Sequence, residues 1–138
     1  MGIEDFRQYC LANQNFNNDN GARRGHIEAV NKVVSNPSLI GLRGVNDKYR
    51  EVVLVEDEKV ISQVDVVLFT EDYEVYICEV KKRGANANNV ARRQLERQYF
   101  YIRDNFDVLT TKVKIGYSEK GRLVKNIIQP KLSDLLKI

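Results

Sequence analysis

The chain has 138 residues, with 22 Lys plus Arg against 19 Asp plus Glu and 30% charged side chains. That is the composition of a single globular domain able to bury roughly two thirds of its unfolded surface, and it excludes a membrane-type or low-complexity chain. Cys10 and Cys78 are too few for a disulfide framework and lie in no CxxC or Cys/His cluster, so a cytoplasmic, reducing setting without structural zinc is expected. The longest apolar runs are four residues, and Met1-Gly2-Ile3-Glu4-Asp5 is acidic with no apolar h-region; neither a spanning helix nor a secretory signal is expected.

Ile3, Phe6 and Cys10 fall at helical spacing and predict a short helix from Ile3 to about Leu11. Asn13, Asn15, Asn17, Asn18 and Asn20, then Gly21, make a turn-rich connection, because asparagine amides compete with the backbone for hydrogen bonds. A second helix is expected from about Ala22 to Val34, with Ile27, Val30 and Val34 on one face, stopping at Ser35-Asn36-Pro37. Residues 38–50, with Gly41 and Gly44, read as a loop leading into a strand. From Glu51 the period changes to two. Val52 to Val55, Val60 to Phe69 and Val75 to Lys81, separated by Glu56-Asp57-Glu58 and Glu71-Asp72, predict a three-stranded antiparallel meander. Helical spacing returns over 89–105, where Ala91, Leu95, Tyr99, Ile102 and Phe106 form an apolar stripe. Strands at 111–117 and 122–128 follow, and Pro130 opens a last short helix carrying Leu132, Leu135 and Leu136.

Charge is unevenly spread. Between residues 81 and 103, Lys81, Lys82, Arg83, Arg92, Arg93, Arg97 and Arg103 face a single acid, Glu96, giving +6 locally and leaving −3 elsewhere in a chain of net charge +3. Such a stripe suits either a polyanion or a solvated helix face, and charge alone leaves both open.

Two carboxylates interrupt the most apolar strands. Asp65 sits within Val64-Val66-Val67-Leu68-Phe69, and Glu79 within Val75-Tyr76-Ile77-Cys78-Val80, where an unpaired buried charge costs several kcal/mol. A hairpin pairing Asp65 with Glu79 makes opposite residue numbers sum to 144, pairs Val67 with Ile77 and Phe69 with Val75, and leaves the loop Glu71-Asp72-Tyr73. Lys81, two residues beyond Glu79, shares its face. Two carboxylates and a lysine can hold Mg²⁺ or Mn²⁺ and assist water attack on a phosphodiester; they can equally be an ion-pair group that satisfies itself.

These residues resemble the PD-(D/E)XK nuclease superfamily: Val64-Asp65, with Val64 where the motif has proline, then Glu79-Val80-Lys81 ending the next strand. The resemblance covers residues 22–118. It implies an α/β fold with a restriction-endonuclease-like α-β-β-β-α-β core, a mixed central sheet flanked by helices, and one nuclease domain over 1–138 to which helix 3–11 and the segment 122–137 are additions. It implies Asp65 and Glu79 as metal ligands with the Val80 carbonyl, and Lys81 as the catalytic lysine. Members often carry a glutamate on the helix before the meander, which in Gly25-His26-Ile27-Glu28 is Glu28, and a glutamine on the later helix, for which Gln94 is the candidate, with Gln98 on the same face. His26 is expected to be a satisfied or solvent-facing side chain.

By this likeness the chain is a Mg²⁺- or Mn²⁺-dependent deoxyribonuclease acting in DNA repair or recombination, similar in length and motif order to the Holliday-junction resolvases. An endonuclease working as a homodimer is expected, with no small-molecule cofactor and no membrane partner. Lys82, Arg83, Arg92, Arg93 and Arg97 would bind the DNA backbone. The competing expectation is a nucleic-acid-binding or assembly module of the same fold that does not cut.

Overall fold

The computed structural model describes residues 2–15, 24–82, 87–108, 111–119 and 122–128. Helix α1 (Ile3–Ala12) starts where the Gly2 amide donates to Asp5 Oδ2, with Glu4 and Asp5 in its first turn favoured by the helix dipole. Helix α2 (Arg24–Ser35) is followed by one 3-10 turn, Pro37–Ile40, which Gly41 ends at φ +76. Strands β1 (Val45–Glu56), β2 (Lys59–Thr70) and β3 (Val75–Lys82) come next, then helix α3 (Ala87–Phe106) and strands β4 (Thr111–Glu119) and β5 (Arg122–Ile128). The expected terminal helix lies outside the described residues, as do Asn17, Asn18 and Asn20.

The five strands form one sheet in the order β1-β2-β3-β4-β5. The first three are the expected antiparallel meander, β4 joins β3 in parallel after the α3 crossover, and β5 returns antiparallel. The chain is therefore α/β, with a mixed sheet covered on both faces. Strand β1 begins seven residues before the expected Val52, because the polar stretch Asp47 to Arg50 pairs with Phe69 to Val66 of the central β2. Pairing to a long buried neighbour overrode the weak strand propensity of Asn46, Asp47 and Lys48. The β1–β2 hairpin closes through Asp57 and Glu58, both left-handed (φ +50 and +65), the two-residue geometry that matches strand twist. In the β2–β3 hairpin the register sum is 144, as expected, and Tyr73 takes the left-handed position at φ +59 where glycine is usual.

One layer joins Phe6 and Cys10 of α1 with Leu95, Tyr99, Ile102 and Phe106 of α3 over Val67, Phe69 and Ile77. Phe6 anchors it, its ring 5.8 Å from Phe69 and 5.1 Å from Phe106. The opposite layer sets Ala29, Val30 and Val33 of α2, with Ile40 and Leu42, over Val66, Leu68, Cys78 and Val80. The buried stripe of α2 is thus rotated from the expected one: Ala29, Val30 and Val33 are buried, while Ile27 and Val34 are half-buried. No described helix is long and apolar enough to cross a membrane.

Candidate metal centre at the splay of β2 and β3

The β2–β3 ladder runs from Phe69 paired with Val75 to Val66 paired with Cys78. Asp65 and Glu79 are next in that register, and there side chains replace the backbone ladder. The Val80 amide donates to Asp65 Oδ2 at 2.7 Å, and the Asp65 amide donates to Glu79 Oε2 at 3.3 Å. The two side chains thus take the Asp65 and Val80 amides where the ladder stops, so the strands part while these two backbone donors remain bonded. Both side chains are buried, Glu79 at 1% and Asp65 at 6% exposure.

A second irregularity lies beside them. Glu51 faces Asp65 across the β1–β2 register and holds φ +54, a left-handed backbone that costs a glutamate roughly 1–3 kcal/mol. Each strand changes phase at this point. Tyr49 and Val52 pack into the α1/α3 layer although three residues apart, and so do Val64 and Val67. Strict alternation would send one of each pair to the opposite face. The phase change leaves Glu51 and Asp65 at a junction reached from both layers. Beyond Glu51 the sheet edge is covered by the segment after α1: the Asn15 amide donates to the Glu51 carbonyl and the Val53 amide to that of Asn13.

From the α3 layer, Gln98, fully buried, donates through Nε2 to Glu79 Oε1 at 2.9 Å and to Ser62 Oγ at 3.0 Å. From the α2 layer, His26 Nε2 lies 3.2 Å from Asp65 Oδ1 and 3.8 Å from Glu51 Oε1, and Gln63 Nε2 donates to Glu51 Oε2. His26, Glu51 and Asp65 each offer a ligand atom within 4.8 Å of the others.

Electrostatics separates the two central carboxyls. Burial, then the negative charge and hydrogen bond of Asp65, push Glu79 well above the ordinary glutamate range, and Lys81 and the Gln98 amide only partly offset this. Burial also acts to raise Asp65, but the hydrogen bonds from His26, Glu79 and the Val80 amide outweigh it and hold its carboxyl below the usual value. Of the two, Glu79 is therefore the carboxyl whose environment favours the protonated form and Asp65 the one favoured as carboxylate. A divalent ion would replace the Glu79 proton. The donors are hard carboxylate oxygens with one imidazole, which suits Mg²⁺ or Mn²⁺.

The sequence-derived candidates divide as follows. Asp65 and Glu79 come together, and Lys81, half-buried on β3, lies close enough to act on the charge of Glu79. The Val80 amide, as distinct from its carbonyl, binds Asp65. Glu28 is exposed on α2, and the helix residue that reaches the carboxylates is His26, half-buried and satisfied by them as one of its two expected readings had it. Gln98 makes the contact expected of Gln94; Gln94 lies one turn earlier and half-buried, and its Oε1 has no hydrogen-bond partner among the described residues. Arg92 is half-buried and Arg93 and Arg97 are exposed along α3, while the Lys82 side chain and Arg83 lie outside the described residues.

Glu51, Gln63 and His26 were not anticipated at the site. Glu51 carries the same signal that marked Asp65, a carboxylate against an apolar run, but at the run's edge it reads as a strand boundary. His26 lies three, four and seven residues before Ala29, Val30 and Val33, hence on the buried stripe, which the sequence pattern misaligned. Comparison with protein-family models, curated proteins and solved structures gave no match.

Proposed function

We propose that this chain is a metal-dependent nuclease of the PD-(D/E)XK type that hydrolyses phosphodiester bonds in DNA. The supporting observation is the splay itself: two buried carboxylates from adjacent strands, Glu79 accepting from the Asp65 amide and Asp65 from the Val80 amide, with Lys81 two residues beyond Glu79 on the same strand. Burial and the neighbouring Asp65 charge both act against ionised Glu79, a cost that a divalent cation bound between the two carboxylates would offset.

Asp65 and Glu79 would hold the ion, with the Val80 carbonyl, His26 and Glu51 as further candidate ligands. Bound there, Mg²⁺ or Mn²⁺ supplies a Lewis acid for a phosphate oxygen and acidifies a water. The protein's own contribution is positional. Gln98 fixes the Glu79 carboxylate through Oε1, and the Val80 amide fixes Asp65 through Oδ2, so neither has to reorganise as charge develops. Lys81 orients the attacking water and offsets negative charge building on the phosphoryl oxygens. Arg92, Arg93 and Arg97 on α3 hold the DNA backbone, and a second copy of the chain would supply the second cut of a two-stranded substrate.

The test is cleavage of supercoiled, single-stranded and four-way-junction DNA with Mg²⁺ or Mn²⁺. Cleavage should be lost in Glu79→Ala and Lys81→Ala proteins that remain folded by circular dichroism. Binding without cleavage on every substrate would replace this reading with the non-cutting module.

A further inference from the structure

We infer that the cleft between α3 and the β1–β2 hairpin is a pocket for one unpaired guanine nucleotide of a bound strand, an inference that rests on the nucleic-acid reading above. The cleft is open along one side and offers about 440 Å³, room for a nucleotide.

Its wall is polarised along α3. Arg93 and Arg97 lie toward one end of the helix wall with Glu96 between them in sequence; Phe100 follows, Asp104 lies at the other end, and Glu56 of β1 lines the cleft close enough to Tyr101 to act on it. From Arg93 to Asp104 the helix advances about 16 Å, which separates the cations from the terminal carboxylate. A nucleotide has the same polarity. Its phosphate suits the guanidinium pair, its flat base suits the aromatic ring, and the donors on its base edge suit carboxylate acceptors.

Arg103 touches both the ring and the carboxylate. Arg103 pairs with Asp104 at 3.1 Å, and its guanidinium covers Phe100 at 4.5 Å from outside the cleft. Among the four bases only guanine presents two adjacent N–H donors on its pairing edge. Thymine offers one donor between two carbonyls, which repel a carboxylate; cytosine and adenine offer one amine beside an acceptor.

The cleft also lies in line with the carboxylate pair. Arg97 Nη1 donates to the Ile61 carbonyl at 3.4 Å, and the next residue, Gln98, carries the Glu79 contact. Along β2, Ile61 and Asp65 are about 13 Å apart. A strand with one base seated in the cleft could reach Asp65 and Glu79 across that distance, and the cleft would read a nucleotide near the cut bond but not adjoining it.

The test uses metal-free, ¹⁵N-labelled full-length chain titrated with dGMP, dCMP, dAMP, dTMP and inorganic phosphate. The expected result is amide shifts over 56–61 and 93–105, with dGMP binding about tenfold more tightly than dTMP. Asp104→Asn combined with Glu56→Gln should erase that preference, while Arg93→Ala with Arg97→Ala should weaken all four nucleotides alike. Equal affinity for the four bases, no shift in these segments, or a preference unchanged by the carboxylate substitutions would overturn the inference. Because the readout is binding without metal, selective uptake in a protein that never cuts DNA would sink only the nuclease reading. Cleavage without selective uptake would sink only the pocket.

Discussion

Glu79→Gln isolates the proton of the buried Glu79 carboxyl. In the unfolded chain Glu79 ionises near its ordinary value of 4.5, whereas in the fold burial and Asp65 keep it protonated to well above that. Between those two values the folded protein binds one proton more than the unfolded one, so stability falls as pH rises, by about 1.4 kcal/mol per pH unit. The contribution is complete below the ordinary value and gone above the folded one. Asp65 has the opposite sign: its lowered value adds stability above the ordinary aspartate range that is lost as the pH falls through its folded value. The introduced amide has no titratable proton, keeps an acceptor for Gln98, and donates to Asp65 as the carboxyl did; the weaker 3.3 Å bond from the Asp65 amide is its only loss. The variant should therefore gain on the parent protein as pH rises from about 5, with a slope approaching 1.4 kcal/mol per unit until Glu79 ionises. Urea denaturation in EDTA at several pH values, followed by far-ultraviolet circular dichroism, reads this difference directly, and groups that titrate in both proteins largely cancel. Parallel stability curves across the whole range would refute the protonated Glu79 and the electrostatic argument built on it.

Saturating Mg²⁺ or Mn²⁺ at neutral pH should raise the midpoint of thermal unfolding, by about 2.7 kcal/mol of stability at a hundredfold excess over Kd, and Glu79→Gln should abolish most of that rise in a calorimetric scan. Asp65→Asn should weaken metal affinity at least tenfold by isothermal titration yet leave DNA binding within a few-fold, because the arginines of α3 carry the phosphate contacts. Gln98→Ala should cost about 2–3 kcal/mol in urea denaturation, since it opens a cavity and leaves Glu79 Oε1 without its donor, whereas Gln94→Ala should cost under about 1 kcal/mol. Tyr73→Gly, which relieves the left-handed backbone at an exposed hairpin position, should stabilise by about 0.5–1 kcal/mol in the same assay.

What the sequence disclosed follows from which physical signals are local. Alternation in β2 and β3 was strong enough to give both the 144 register and the adjacency of Asp65 and Glu79, because a one-residue slip would have put Val67 and Ile77 on the wrong face. The apolar stripe of α3 was equally legible, every residue of it being buried in the α1/α3 layer. Strand β1 was harder: its first half is polar and becomes a strand only because β2 lies beside it. The α2 layer was misread because Ala29 carries little hydrophobic weight in a pattern, and that error kept His26 off the buried stripe; Glu28 was named from the family resemblance and is exposed. Glu51 was invisible for another reason. Its left-handed backbone is imposed by long-range pairing with Asn15 and the β2 register, and nothing in the local residues encodes it.

The simultaneous phase change at Glu51 and Asp65 bears on how this hairpin avoids mispairing. In an ordinary antiparallel pair, sliding one strand by two residues keeps every side chain on its original face, so even-numbered slips are the least penalised errors. Here such a slip would set each break opposite a regular stretch of the other strand, forcing Val52 or Val64 out of its layer and carrying a carboxylate into one. Both odd and even slips are then disfavoured. The irregularity that gathers Glu51 and Asp65 at one junction is also what leaves the two strands a single way to align.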